Sequence, residues 1–142
     1  MPQPGPLEHL GEMLQALNPR LHPGCYVYAC LTPEQAEQAG QHYQPLASFR
    51  ETEAVTWIVP RTDAERHRWR AEFPCAWIQL DVHSALHAVG LTAAIATALA
   101  EHKLSCNIVA AYHHDHLFVP EEQAQQALRI LKALQASQRA ID

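Results

Sequence analysis

Two short segments with the same ending, 60 positions apart, constrain the fold of this chain more than any other feature. The first is Trp57–Pro60, with Ala64 four residues later, and the second is Leu117–Pro120, with Ala124 at the same distance. Each combines β-branched or aromatic residues with a closing proline, which is typical of a strand that leads directly into a helix. A pattern repeated within one chain indicates a duplicated structural unit.

The patterns around these segments predict the same order of elements, β-α-β-β-α, in both halves. In the first half we predict Thr32 as the N-cap of a helix and Pro33 as its first residue. In the second half, Leu91, Ile95 and Leu99 are spaced four apart and predict a helix over Val89–Lys103. The predicted strands are Cys25–Leu31, Leu46–Phe49, Val55–Val59, Cys75–Val82, Leu104–Tyr112 and His116–Val119. Further helices are predicted over Leu7–Leu17, over Pro60–Trp69 and from Pro120 onward, with a break at Phe73–Pro74.

The length of the chain indicates that the two halves fold together. With 142 residues in all, each half has roughly the size at which a domain buries only about 60% of its unfolded surface and is marginal alone. We therefore predict an α+β fold, in which two tandem ferredoxin-like βαββα units share an antiparallel sheet system with helices on one face. The expected boundaries are 1–20 for an N-terminal helical extension, 21–73 for a degenerate first unit and 74–142 for the second unit.

The charge and hydropathy of the chain exclude several kinds of partner. Lysine and arginine number 10 against 15 acidic residues, a net charge of -5, so the cationic surface of a nucleic-acid binder is missing. The longest apolar stretch, Ala88–Ala100, is shorter than the about 20 residues that cross a bilayer. The first residues are not a charged and then apolar segment, so we expect no leader. The few glycines are not clustered into a phosphate-binding motif, so we expect no cofactor. We predict a cytoplasmic protein without nucleic-acid or membrane partners.

Two segments of the second half resemble a small bacterial ACT-domain family of unassigned function. They are Val82–Ala93 and Cys106–Pro120, and a weaker resemblance covers Phe49–Thr56, where Ala54 replaces an expected glycine. ACT domains sense amino acids in metabolic enzymes and regulators, and tandem copies occur in aspartate kinases and cytosolic arginine sensors. The resemblance implies a non-catalytic, ACT-type regulatory module that binds a small metabolite, above all an amino acid. It also implies a homodimer or a partner of a metabolic enzyme.

In ACT domains the ligand typically lies at an interface between two units, on the loop from the first strand to the first helix. The matching loop is His83–Thr92, where backbone N–H groups at a helix start suit a carboxylate and Gly90 allows a close approach. Ser84 is a candidate cap or donor, and Asn107 is a candidate partner for an amino or amide group. The alternative is that Gly90 only eases packing and Ser84 only caps. The candidate ligand-binding residues are His83, Ser84, Val89, Gly90, Leu91, Thr92, Asn107 and Ile108.

The histidines raise a second possibility. Six of the ten lie in the second half, and His113, His114 and His116 surround Asp115 in one turn. Imidazole and carboxylate groups suit zinc, nickel or iron(II), so these four residues are candidate metal ligands. No His-Glu-x-x-His pattern is present, and a polar hairpin turn explains the same residues, so we expect no bound metal. A third possibility is a structural subunit of a larger enzyme assembly.

Overall fold

The computed structural model describes residues 5–141, which form two compact units. The central unit is Gly24–Cys75, and the terminal unit contains the described residues up to Pro23 and those from Ala76 onward. The elements are α1 (Leu10–Gln15), β1 (Pro19–Leu21), β2 (Tyr26–Leu31), α2 (Pro33–Gly40), β3 (Ala47–Arg50), β4 (Val55–Pro60), α3 (Arg61–His67), β5 (Arg70–Leu80), α4 (Leu91–Ala100), β6 (Asn107–Ala110), β7 (Asp115–Pro120), a 3-10 turn (Glu121–Gln123) and α5 (Ala124–Ile141). Part of the predicted extension, residues 1–4, lies outside the described residues, and the boundaries 1–20, 21–73 and 74–142 stay a prediction.

The central unit has the predicted order β-α-β-β-α, followed by the first part of β5. Strand β2 lies between β4 and β5, β3 pairs with β4, and all three pairs are antiparallel. The predicted start of α2 is confirmed, because Gln35 N–H donates to Thr32 Oγ1 at 3.1 Å and Thr32 N–H donates to Gln35 Oε1 at 2.8 Å. The buried core of this unit consists of Val27, Ala29, Leu31, Trp57, Val59 and Ala64.

The terminal unit combines the second part of β5 with α4, β6, β7 and α5, and with α1 and β1 from the start of the chain. Strand β7 lies between β5 and β6, and β1 pairs antiparallel with β5, with Pro19 opposite Leu80 and Leu21 opposite Ile78. The three helices bury their apolar sides against alternate residues of β5 and β7. This core includes Met13, Leu17, Ile78, Leu80, Ile95, Leu99, Leu117, Val119 and Leu131, all fully buried.

A buried glutamine fixes the turn between α1 and β1. The Gln135 side chain donates to Gln15 O at 2.6 Å and to Asn18 Oδ1 at 2.9 Å, and it accepts from Asn18 N–H at 3.0 Å. Asn18 adopts a left-handed φ of 43°, a conformation that asparagine tolerates better than most residues. Helix α5 therefore holds the start of the chain against the terminal unit.

Several predicted elements differ from the structure, among them α4, which spans Leu91–Ala100 and not Val89–Lys103. Helix α1 begins at Leu10 because the backbone of Leu7 pairs with Ser84 in a parallel bridge. The predicted break at Phe73–Pro74 is wrong: β5 continues through both residues, since Phe73 takes a φ of 60° and the β2–β5 register shifts nearby. The strand predicted from Leu104 is shorter, because Leu104 N–H instead bonds to Leu99 O at the end of α4.

The strand-proline-helix repeat is confirmed in the backbone. Pro60 is the last residue of β4, with φ −56° and ψ 138°, and Pro120 is the last residue of β7, with φ −52° and ψ 137°. In both units this residue ends a strand and starts a helical segment, so the predicted α+β class is confirmed as well. Within residues 5–141, no helix is both long and apolar enough to cross a membrane.

Candidate functional site

The loop from β5 to α4 is held in place by the start of the chain. Leu7 N–H donates to His83 O at 2.7 Å, and Ala85 N–H donates to Leu7 O at 2.8 Å. These two bonds fix the backbone on both sides of Ser84. The sequence patterns did not predict this contact, because they placed Leu7 in a helix.

The loop ends at Gly90, which is the N-cap of α4. Gly90 has φ 103° and ψ −21°, a conformation that residues with a side chain rarely adopt, and no side chain within the described part of the chain caps the helix. Among the described residues, no acceptor is found for the backbone N–H groups of Leu91, Thr92 and Ala93, whereas Ala94 N–H bonds to Gly90 O at 2.9 Å. These N–H groups form a positively polarised helix start.

Gly90 also serves packing, which was the alternative explanation for it. A Cβ atom at this position would lie 3.3 Å from Leu10 Cδ2, tighter than most contacts of that kind. Helix α1 therefore packs directly over the glycine. The positive φ favours glycine here, and the close contact with Leu10 adds to that preference, whether or not a ligand binds.

A small hollow opens beside the helix start, and we call it the Asp115 hollow. Its volume is about 100 Å³. Pockets for drug-sized ligands measure about 300–1,000 Å³, so this one suits a group of a few atoms. It is lined by Ser84, Ala85, Leu86, Ala88, Gly90, Leu91, Thr92, Ala110 and Asp115.

Asp115 brings a buried carboxyl group to this hollow. The residue is only 6% exposed, at the start of β7, and it accepts a hydrogen bond from Ser84 Oγ at 3.3 Å. Burial raises the pKa of Asp115, and the Ser84 hydrogen bond and the neighbouring His116 and His114 oppose that rise. No lysine or arginine of the described residues forms an ion pair with it. A buried carboxylate of this kind is stabilised by any cation that enters the hollow.

A second hollow adjoins the same loop, and we call it the Tyr112 hollow. It measures about 250 Å³ and shares Ser84, Ala85 and Leu86 with the Asp115 hollow. Its remaining lining is Pro6, His83, His87 and Tyr112. The second hollow is larger and offers an aromatic ring and two imidazoles.

Five of the predicted ligand-binding residues line these two hollows. Gly90, Leu91 and Thr92 line the Asp115 hollow, His83 lines the Tyr112 hollow, and Ser84 lines both. Three further candidates line neither of them. Val89 is 84% exposed, Asn107 is exposed on β6 opposite Phe118, and Ile108 packs against the core of the terminal unit.

The residues of the histidine turn point to different partners. His114 Nδ1 lies 3.4 Å from Val82 O, and the His113 ring lies 5.4 Å from the His83 ring between centroids. Trp77 Nε1–H donates to His116 Nδ1 at 3.0 Å, and burial lowers the pKa of His116. Within residues 5–141 no three His, Cys, Asp or Glu side chains gather where they could hold a metal ion. The metal alternative stays a prediction, without a preformed cluster to support it.

Sequence reasoning grouped Asp115 with the histidines and did not assign it to the ligand site. A signal was present: Asp115, Leu117 and Val119 alternate along β7, and all three are buried. Because side chains of a strand alternate between faces, extending the apolar pattern one step back places Asp115 on the inner face.

Two family models, both described as ACT domain, match this chain. One covers residues 6–76 and the other covers residues 72–133. The chain therefore belongs to the ACT-domain family and carries two tandem ferredoxin-like domains. ACT domains are regulatory, ligand-binding modules rather than catalytic ones.

Solved structures share the architecture. A Vibrio cholerae protein of unknown function, described as a possible transport protein, is 39% identical, with a TM-score of 0.76 over 89% of this chain and 95% of its own. The regulatory subunit of aspartate kinase from Thermus flavus is 12% identical, with a TM-score of 0.61 over 84% of this chain and 98% of its own. E. coli aspartokinase III, solved in complex with aspartate and ADP, is 13% identical, with a TM-score of 0.63 over 84% of this chain and 33% of its own. At this identity the two kinase structures show a common fold alone. None of the curated proteins matches the sequence.

Proposed function

We propose that this protein is a non-catalytic regulatory module that binds a free amino acid at the Asp115 hollow. The proposal depends on one observation, which is that N–H donors and a buried carboxylate lie around the same small hollow. The unpaired N–H groups at the start of α4 suit a carboxylate, and the buried Asp115 carboxylate suits an ammonium group. An α-amino acid presents these two groups one carbon apart.

The sizes of the hollows set what else the ligand needs. A space of about 100 Å³ accommodates the charged groups around the α-carbon but little side chain. The side chain of the ligand must leave this space, and the Tyr112 hollow, with about 250 Å³ and three shared lining residues, is the place we propose for it. His83, His87 and Tyr112 would then select among side chains.

The relatives support a regulatory role. ACT domains bind small molecules and regulate enzymes, and one structure with this fold was solved with aspartate.

Exposed apolar residues also surround the loop: Leu86 is 63% exposed and Tyr112 is 75% exposed. Such residues favour a surface that a protein partner covers. We therefore propose that the protein forms a homodimer or a complex with a metabolic enzyme, and that it is located in the cytoplasm. Sedimentation of the purified protein tests the dimer.

A thermal-shift panel tests the proposal. The 20 free amino acids are added singly to the full chain, and the one that binds best is then compared with its N-acetyl derivative and its decarboxylated amine. A ligand at 100 times its dissociation constant stabilises the folded state by about 2.7 kcal/mol, which raises the melting temperature by several degrees. We expect the free amino acid to do this and both derivatives to fail. No shift with any amino acid at millimolar concentration would refute the proposal.

A further inference from the structure

We infer that the central unit carries a separate binding site for a small organic anion, formed by Arg68 and Arg70. The two arginines line a hollow of about 430 Å³, which we call the Arg68 hollow. Its volume falls within the about 300–1,000 Å³ of ordinary ligand pockets. The inference does not depend on the amino-acid site, because all residues of the Arg68 hollow belong to the central unit and all residues of the Asp115 hollow belong to the terminal unit.

Positive charge is concentrated around this hollow in an otherwise acidic chain. Four of the ten lysines and arginines lie within residues 61–70, although the net charge is -5. The two that precede Arg68 have partners on their own helix, as Arg61 bonds to Glu65 at 3.3 Å and Arg66 to Asp63 at 2.6 Å. Arg61 and its partner Glu65 both line the hollow, so their charges offset each other there.

Arg68 and Arg70 have no such partner. Neither forms an ion pair or a side-chain hydrogen bond among the described residues, and both are exposed. The one further acidic residue of the lining is Glu72. Besides the Arg61–Glu65 pair, two guanidinium groups and one carboxylate line the hollow, which leaves it with a net positive charge that attracts an anion.

The backbone of Arg68 supports a role for its side chain. Arg68 is the C-cap of α3 and adopts φ 57° and ψ 35°, the left-handed conformation for which glycine is the usual choice. A Cβ atom makes this conformation unfavourable, because it lies too close to the backbone carbonyl oxygen. The chain nevertheless places its longest cationic side chain there, and backbone strain of this kind concentrates at functional sites.

The lining defines the class of ligand. A guanidinium group binds a carboxylate or a phosphate through two parallel hydrogen bonds. Val27, Ala64 and Trp69 supply an apolar wall beside the arginines. The site therefore suits a carboxylate or phosphate ester that carries an apolar or aromatic group, and it favours such a ligand over the bare inorganic anion.

Calorimetric titration of the full chain at constant ionic strength tests the inference, with phenyl phosphate, benzoate and inorganic phosphate as probes. We expect saturable binding of phenyl phosphate or benzoate that is tighter than binding of inorganic phosphate, and the tighter of the two identifies the anionic group. Arg68→Gly removes the guanidinium and relieves the left-handed residue, so it should bind at least about tenfold more weakly without losing thermal stability. Arg70→Ala should weaken binding to a similar extent.

Arg66→Ala is the matched control, because Arg66 lies on the same segment but is paired with Asp63 and does not line the hollow. It should bind phenyl phosphate as the unchanged protein does. An equal loss in Arg66→Ala and Arg68→Gly would show diffuse attraction instead of a site and would overturn the inference. So would the absence of saturable binding of all three probes.

Discussion

Replacing Asp115 by asparagine separates the binding role of this residue from its effect on stability. The substitution keeps the shape and an oxygen that accepts the Ser84 hydrogen bond, now 3.3 Å long, but removes the charge. A charge-assisted hydrogen bond contributes about 1.5–3 kcal/mol, so amino-acid affinity should fall roughly 10- to 150-fold. Isothermal titration with the best amino acid of the panel measures this loss.

The stability of Asp115→Asn should change in the opposite direction. Burial raises the pKa of Asp115 in the folded protein, so the folded state holds this proton to a higher pH than the unfolded chain does. Stability therefore falls as the pH rises from about 4, the ordinary aspartate value, through the raised pKa of the folded state. The asparagine variant lacks this decline and should be at least as stable as the original protein at pH 7 in urea unfolding.

Asp81→Asn is the control for both measurements, because Asp81 is an exposed acid of the same unit that pairs with Arg20 at 3.3 Å. It should leave amino-acid affinity unchanged. A role of Asp115 in binding is refuted if Asp115→Asn binds the amino acid as tightly as the original protein does. An unfavourable burial of its charge is refuted if the variant is markedly less stable at pH 7.

Three more predictions concern the same unit. Gly90→Ala should lower the free energy of unfolding by about 1–2 kcal/mol, because of the positive φ and the contact with Leu10. Gly40 has open space around it, so Gly40→Ala should not lower this free energy. Urea titration of both variants checks this. Burial and the nearby His114 lower the pKa of His116, so the unfolded chain takes up this proton at a higher pH than the folded protein does. His116→Gln should therefore reduce the loss of melting temperature between pH 7 and pH 5. An unchanged pH profile of the melting temperature would refute this. Gln135→Leu removes the three hydrogen bonds of the buried Gln135 side chain, so it should lower the free energy of unfolding by about 1–3 kcal/mol. Gln125 is exposed on the same helix, and Gln125→Leu should leave this free energy nearly unchanged in the same assay.

The parts of the fold that follow from local signals could be predicted from the sequence. The strand-proline-helix repeat, the capping box at Thr32 and the apolar spacing of α4 each depend on neighbouring residues. Strand β1 could not be found this way, because its three residues become a strand only by pairing with residues 78–80 of β5. Phe73–Pro74 looked like a break because the left-handed φ of Phe73, which lets β5 continue, has no signature in the sequence.

The candidate site was predicted only in part for a similar reason. The resemblance to the family predicted a ligand site at the loop that contains Ser84 and Gly90, and both residues line the Asp115 hollow. The contact of Leu7 with this loop joins residues far apart in the chain, and no local pattern indicates it. Asp115 was grouped with its histidine neighbours by sequence, whereas the alternation of β7 turns it inward toward Ser84.

Backbone amide NMR during titration with the best amino acid of the panel tests the central claim most directly. We predict saturable shifts concentrated at Leu91, Thr92 and Ala93, where N–H groups gain an acceptor, together with Ser84 and Asp115. Saturable binding that leaves these amides unmoved and shifts others instead would contradict that claim.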